Sequence, residues 1–287
     1  MESTAQLLNR IISFALLDPR IDAVIMTGSR ARVTGVDNYS DLDIEFVGHG
    51  VNDFTQSTQW LNQFGNPLIT LQLANEKPNE PDWPTCLVIF EQGRKIDFTF
   101  AEPIRLTTMK HAGLDAIYAR GYGVLLDKSG VTNGLPEYIP GQHPRISLPS
   151  AEQFNALVTD FWFEAHQVAI LLTRDERWLA WQRDHSMKNG LLTLLEWLVT
   201  IDNPNQDCWY QGKSFNQWMP KRYLACMDKI FNFNNANTAA SGLILLLDTF
   251  AKASKEVANA LNYPDYSSVS QKITELANDI LLDNQLI

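Results

Sequence analysis

The hydrophobic period of this 287-residue chain changes once, and the change falls at a stretch that can carry neither a helix nor a central strand. Residues 129–150, SGVTNGLPEYIPGQHPRISLPS, hold four prolines and three glycines, which remove backbone donors and leave the chain without a regular dihedral preference. Before it, short apolar or alternating runs at residues 21–26, 42–47, 85–90 and 95–101 read as strands. The link Glu91-Gln92-Gly93-Arg94 has the composition of a hairpin turn. After it, residues 151–173, 185–201, 215–232, 238–261 and 268–282 repeat apolar side chains every three or four positions, the signature of helices. The expected fold class is therefore α+β: a mixed sheet with flanking helices over residues 1–135, followed by an α-helical bundle over residues 136–287.

Charge narrows the partners. The net charge is −10, and it divides evenly: residues 1–150 carry 12 basic and 17 acidic side chains, residues 151–287 carry 11 and 16. A nucleic-acid binder needs clustered Lys and Arg to displace counterions from phosphates, so nucleic acid is not an expected partner. An evenly acidic protein favours small cationic ligands. No apolar run reaches the ~18 residues of a membrane span, and the longest candidate, residues 191–201, is interrupted by Glu196. The first twenty residues carry Arg10 inside an amphipathic pattern and no basic leader, which reads as a helix rather than a signal peptide. The expected location is the cytoplasm. Cys86, Cys208 and Cys226 are odd in number and widely spaced, so they read as buried free thiols rather than a disulfide or zinc framework. No protein partner is indicated.

The run Asp41-Leu42-Asp43-Ile44-Glu45-Phe46 carries the chemistry. Strand alternation sends Leu42, Ile44 and Phe46 to one face and the three acids to the other. Two residues of strand advance about 6.5–7 Å, so the carboxylates of Asp41 and Asp43 can converge on one ion or bridge two. Lys95-Ile96-Asp97-Phe98-Thr99-Phe100 repeats the device, with Asp97 opposite in direction to its apolar neighbours. If the two strands are neighbours, three carboxylates share one face, and their mutual repulsion calls for a hard cation such as Mg²⁺. An alternating acidic strand that merely faces solvent has the same pattern. Gly28-Ser29-Arg30, directly after the strand ending near Thr27, tips the balance. Glycine allows close approach of backbone to a phosphate, Ser29 adds a hydroxyl donor and Arg30 a charged one. No G-x-x-x-x-G-K-[ST] is present, so this is not a P-loop.

Taken in order, GSRAR, DLDIEF, KIDFTF and VLLDKSG resemble the aminoglycoside 6-adenylyltransferases, or streptomycin adenylyltransferases, of the polymerase-β-type nucleotidyltransferase superfamily. FWFEAHQVAILLTRDERWLAWQRD, LLEWLV and GKSFNQW are similar to that family's helical domain, so the likeness covers most of the chain. The resemblance implies a nucleotidyltransferase catalytic domain at residues 1–135 and a helical substrate-binding domain at 136–287. It implies ATP and Mg²⁺ on the strand-rich domain, with AMP passing to a hydroxyl of an antibiotic held between the domains. Gly28 and Ser29, helped by Arg30, would hold the triphosphate, Asp41 and Asp43 would bind metal, and Asp97 would act as general base or third ligand. Leu42 stands between the aspartates where an aromatic would be expected, and it points into the core.

In the helical half, Trp178, Trp181 and Asp184 lie in ERWLAWQRD with Glu164 one helix upstream. Trp181 and Asp184 are helix neighbours, and an acid beside an indole suits a polycationic sugar; an ordinary amphipathic helix with buried tryptophans is the plainer alternative. His166 reads as a core or interface histidine. Lys213, after Gly212, would reach the β- or γ-phosphate or be a solvated loop lysine, and Arg32 is weighed in the same way. The expected activity is Mg²⁺-dependent transfer of AMP from ATP to an aminoglycoside hydroxyl, with streptomycin foremost. A nucleotidyltransferase acting on another small molecule or a protein, or a non-catalytic nucleotide-binding protein of the same fold, stays open.

Overall fold

The computed structural model describes residues 2–32, 35–37, 39–74, 83–141, 144–208 and 210–287; Gln142 and His143 of the proline-rich stretch lie outside them. The chain divides into two compact units, Met1–Pro144 and Arg145–Ile287.

The first unit opens with α1 (Thr4–Leu17), which starts at a capping box: Gln6 N–H donates to the Ser3 hydroxyl while Ser3 N–H donates to the Gln6 side chain. Leu7, Ile11 and Ala15 form its buried stripe. Six strands follow, β1 (Ala23–Thr27), β2 (Leu42–Val47), β3 (Pro67–Leu73), β4 (Thr85–Phe90), β5 (Lys95–Ala101) and β6 (Gly123–Asp127). They make one sheet in the order β3-β4-β5-β2-β1-β6. All neighbours are antiparallel except β2 and β5, which run parallel with Leu42 opposite Ile96 and Asp43 opposite Asp97. That register puts the apolar sets Leu42, Ile44, Phe46 and Ile96, Phe98, Phe100 on one face. There they pack against α1 and a ring cluster that includes Phe14, Phe54, Trp60 and Phe64. On the opposite face, α3 (Pro103–Ala112) buries Leu106 and Met109, with Tyr118, against Ala23, Ile25 and Val47. A single turn of helix, α2 (Gly28–Arg32), joins β1 to the approach to β2.

The strands expected at 42–47, 85–90 and 95–101 form with those bounds, and the one expected at 21–26 is displaced to Ala23–Thr27. β3 and β6 escape a periodicity reading. Leu68, Ile69 and Leu71 of the edge strand β3 are all exposed, so it shows no buried alternation, and β6 has only three consecutive apolar residues, Val124-Leu125-Leu126, between a glycine and an aspartate.

The second unit is helical. α4 (Ala151–Thr173) begins at a second capping box, Ser150 with Gln153. α5 (Arg177–Asp202), α9 (Ala236–Leu261) and α10 (Ser267–Asp283) complete the long helices. Phe161 of α4 stacks on Phe250 of α9 with ring centroids 3.5 Å apart. α5 starts eight residues before the expected 185, because Ala180, Asp184, Met187 and Leu191 already form its buried stripe. The single helix expected over 215–232 is instead three short pieces, α6 (Phe215–Trp218), α7 (Lys221–Leu224) and α8 (Met227–Ile230). The first break falls at Met219-Pro220, where both residues are extended, as proline and the residue before it prefer. All three cysteines are free thiols, two buried and Cys226 half-buried. Among the described residues no helix is long and apolar enough to cross a membrane.

Candidate active site

The site grows from the end of β1. Gly28 has φ +70°, and a Cβ there would lie 1.9 Å from Asp43 Oδ2, so both the backbone conformation and the close approach of the Asp43 carboxylate require glycine. Ser29 follows in the first turn of α2. Arg30 is placed differently from the phosphate-facing role expected of it. Its Nε donates to the carbonyls of Ser40 and Asp41 at 3.1 and 3.0 Å, and its Nη2 to Ser40 at 2.6 Å. The guanidinium thus holds the backbone that leads into β2, because carbonyls just outside a strand have no ladder partner of their own.

Asp41 stands immediately before β2, Asp43 on it, and Asp97 directly opposite Asp43 on β5. One carboxylate oxygen from each of the three lies within 4.8 Å of the others. Lys95, on the same side of β5 two residues before Asp97, reaches among them: its Nζ donates to Asp41 Oδ2 at 2.8 Å and to Asp97 Oδ2 at 2.7 Å. Burial opposes a charge on Lys95, but its bonds to the two carboxylates outweigh it and hold the ammonium above its ordinary range. Burial pushes the Asp97 carboxyl upward, with Lys95 opposing and the Asp41 charge adding. Asp97 Oδ1 is buried with no hydrogen-bond partner among the described residues. Three convergent oxygen donors, one of them carrying an orphaned buried oxygen, fit a hard divalent cation. Asp41, Asp43 and Asp97 are the residues that could hold it. Lys95 was not singled out from the sequence, although alternation in KID already placed it on the Asp97 face.

The acidic face does not stay open along its length. Glu45, one pleat beyond Asp43, is 3% exposed under α3. It accepts from the Tyr118 hydroxyl at 2.9 Å and pairs with Arg105 at 3.0 Å, and Arg105 also reaches Asp115 at 2.8 Å. Burial pushes the Glu45 carboxyl upward against the pull of Arg105 and Tyr118. Glu45 is thereby a strut beneath the site, and its partners lie sixty and more residues away.

The residues expected to touch an acceptor separate into two groups within the helical unit. Trp178 and Trp181 are both exposed, their rings 6.0 Å apart, and Trp181 stacks on His185 at 5.8 Å. These three fall at positions i, i+3 and i+7 of the solvent stripe of α5. Asp184 does not join them as expected. It falls on the buried stripe with Ala180 and Met187, is 3% exposed, and pairs with Lys188 one turn on. Burial pushes its carboxyl upward, opposed by Lys188. Glu164 is engaged by Arg183, whose Nη1 donates to both of its oxygens at 2.8 and 2.7 Å. Lys213 is exposed in the turn before α6, its carbonyl accepting from the Trp218 indole at 3.0 Å, and His166 is half-buried on α4.

Aminoglycoside 6-adenylyltransferase from Bacillus subtilis (strain 168) is 28% identical over 290 residues, covering 96% of this chain and 98% of the relative. The Campylobacter jejuni protein of the same name is 25% identical, covering 96% and 94%. The solved aminoglycoside 6-adenyltransferase from Bacillus subtilis aligns with a TM-score of 0.45 at 23% identity, over 97% of this chain and 99% of that one. The family model for streptomycin adenylyltransferase matches residues 1–280, and the chain therefore belongs to the streptomycin adenylyltransferase family of nucleotidyltransferase enzymes.

Proposed function

We propose that this enzyme transfers AMP from ATP to a hydroxyl of an aminoglycoside, with streptomycin the first acceptor, releasing pyrophosphate in a Mg²⁺-dependent reaction. The observation that carries the reading is the convergence of Asp41, Asp43 and Asp97 beside the Gly28 turn in a member of this family. Met1–Pro144 is then the catalytic unit and Arg145–Ile287 the acceptor-binding unit.

Bound at the three carboxylates, Mg²⁺ would neutralise the developing charge on the transferred phosphoryl group and align the attacking and leaving oxygens. The chain's own residues do the rest. Gly28 lets the backbone approach the triphosphate, and Ser29 donates to it. Arg30 holds Ser40 and Asp41 in place through their carbonyls. Asp97, with its carboxyl pushed upward by burial, takes the proton of the acceptor hydroxyl as that oxygen attacks the α-phosphorus. Its second role, as metal ligand, uses the same carboxylate.

For the acceptor, the exposed indoles of Trp178 and Trp181 offer flat faces to guanidinium or ammonium groups. Glu164 and Asp184 are neutralised by Arg183 and Lys188, so any contact they make with a cationic acceptor requires those pairs to open. Cytoplasmic location follows from the need for ATP. Incubation with each NTP, Mg²⁺ and a panel of aminoglycosides, read by mass spectrometry, tests the reading. A nucleotidyl adduct on streptomycin supports it, and no adduct on any acceptor at saturating ATP refutes it.

A further inference from the structure

We propose that Lys95 is the built-in counter-cation of the carboxylate triad: its ammonium holds Asp41 and Asp97 together in the metal-free protein and must withdraw before a divalent cation can bind them. The inference rests on the metal reading above and adds to it a residue that sets metal affinity by exchange.

Three carboxylates with oxygens within 4.8 Å of one another repel strongly unless a cation stands among them. Lys95 supplies one, with bonds of 2.8 and 2.7 Å to Asp41 and Asp97. The placement follows from the sheet. Lys95 and Asp97 share a face of β5 by alternation, and β5 pairs in parallel with β2 from the Leu42–Ile96 pair onward, so the residue before each partner, Asp41 and Lys95, stands at the same edge. The neutralisation is incomplete, because one ammonium reaches only one oxygen of Asp97 and leaves Oδ1 buried without a partner among the described residues. A divalent ion and an ammonium cannot share this space, since each raises the cost of the other. Lysine is suited to leaving: its charge rides on a flexible four-carbon stem, and the side chain is 38% exposed, with solvent to receive it.

The test is Mn²⁺ binding to the full chain without ATP, followed by electron paramagnetic resonance of the free ion, for the wild type, Lys95→Gln, Lys95→Arg and Asp43→Asn. Lys95→Gln is expected to bind Mn²⁺ at least tenfold more tightly than the wild type, about 1.4 kcal/mol. Lys95→Arg, which keeps the charge, stays within about threefold, and Asp43→Asn loses the site. Melting gives an independent readout: without metal Lys95→Gln melts below the wild type, and Mn²⁺ recovers more of its stability than it adds to the wild type. A Lys95→Gln chain that folds only with Mn²⁺ likewise supports the proposal. Equal or weaker Mn²⁺ binding by Lys95→Gln overturns it while leaving the metal site standing. If the wild type and Lys95→Gln both fail to bind Mn²⁺, or Asp43→Asn binds as well as the wild type, the metal site itself is wrong and the inference falls with it.

Discussion

Gly28→Ala isolates what the close approach of β1 to the carboxylates is worth. At φ +70° an alanine pays the left-handed penalty, about 1–2 kcal/mol, equivalent to a Tm fall of roughly 2–8 °C for a protein of this size. Its Cβ would also stand 1.9 Å from Oδ2 and 2.6 Å from Cγ of Asp43, against an ordinary contact of 3.4 Å or more. The Asp43 carboxylate must therefore retreat by about 1.5 Å, and displacements near 1 Å at a reacting centre cost on the order of 10²-fold in rate. Gly93→Ala separates the two effects. Gly93 has φ +77° in the β4–β5 turn, but nothing lies within 4 Å of its missing Cβ, so it loses the same stability and no geometry. Both variants should be assayed well below their melting temperatures, by pyrophosphate release with saturating ATP, Mg²⁺ and acceptor, and by Mn²⁺ affinity. Gly28→Ala is expected to lose at least about 100-fold in rate, near 2.7 kcal/mol, and most of its metal affinity; Gly93→Ala should keep both. A folded Gly28→Ala within threefold of Gly93→Ala would refute the role assigned to this contact.

Asp41→Asn and Asp43→Asn should each abolish turnover with the fold intact by circular dichroism, since a ligand charge is lost without a cavity; a retained rate above about a tenth of wild type would remove either residue from the metal site. Asp97→Asn should lower kcat far more than it raises the KM for ATP if the carboxylate acts chiefly as a base, whereas a dominant loss of metal affinity would make it chiefly a ligand. Glu45→Ala should cost about 1–3 kcal/mol, because it leaves the buried Tyr118 hydroxyl without its acceptor and Arg105 with Asp115 as its remaining carboxylate partner, and an unchanged Tm would show the strut to be dispensable. Glu196 offers a pH test within the helical unit. Burial pushes its carboxyl up to about 7, opposed by the Gly212 N–H. A raised carboxyl contributes stability that is full below its unfolded value and is lost as pH rises toward 7, so the Tm should fall between about pH 5 and 8. Glu196→Gln should flatten that profile, a difference of about 1–2 kcal/mol at pH 8 once partial solvent contact is allowed for; parallel profiles would rule it out.

Much of the first unit is written into local pattern. Strand alternation in Asp41-Leu42-Asp43 and Lys95-Ile96-Asp97 assigns each side chain to a face before any partner is known, because the period of two is a property of the backbone itself. The resemblance of GSRAR, DLDIEF and KIDFTF to one family, followed by the match over residues 1–280, made the chemistry legible at the same level. The helices were legible where a stripe ran unbroken, as in α4, and illegible where proline interrupted it, as at Pro220. Asp184 shows the limit of neighbour rules. It is three residues from Trp181, yet it belongs with Ala180, Met187 and Leu191, a stripe visible in the sequence only when the helix is begun early enough to include it.

Other features belong to tertiary structure alone. That β2 and β5 run parallel, with Asp43 against Asp97, depends on a strand order no local pattern encodes. The same order brings Lys95 to Asp41 across 54 residues, and packing of Tyr118 onto the sheet brings it to Glu45 across 73. Glu45 and Asp43 are chemically alike and share one face, but α3 covers the first and leaves the second half-exposed, so one becomes a buried strut and the other a candidate ligand. Sequence by itself determined which residue types could meet and which way each strand would point them, since both follow from backbone geometry. Tertiary structure decided which of them met and which were buried, since desolvation and charge pairing act between segments that only the folded chain brings together.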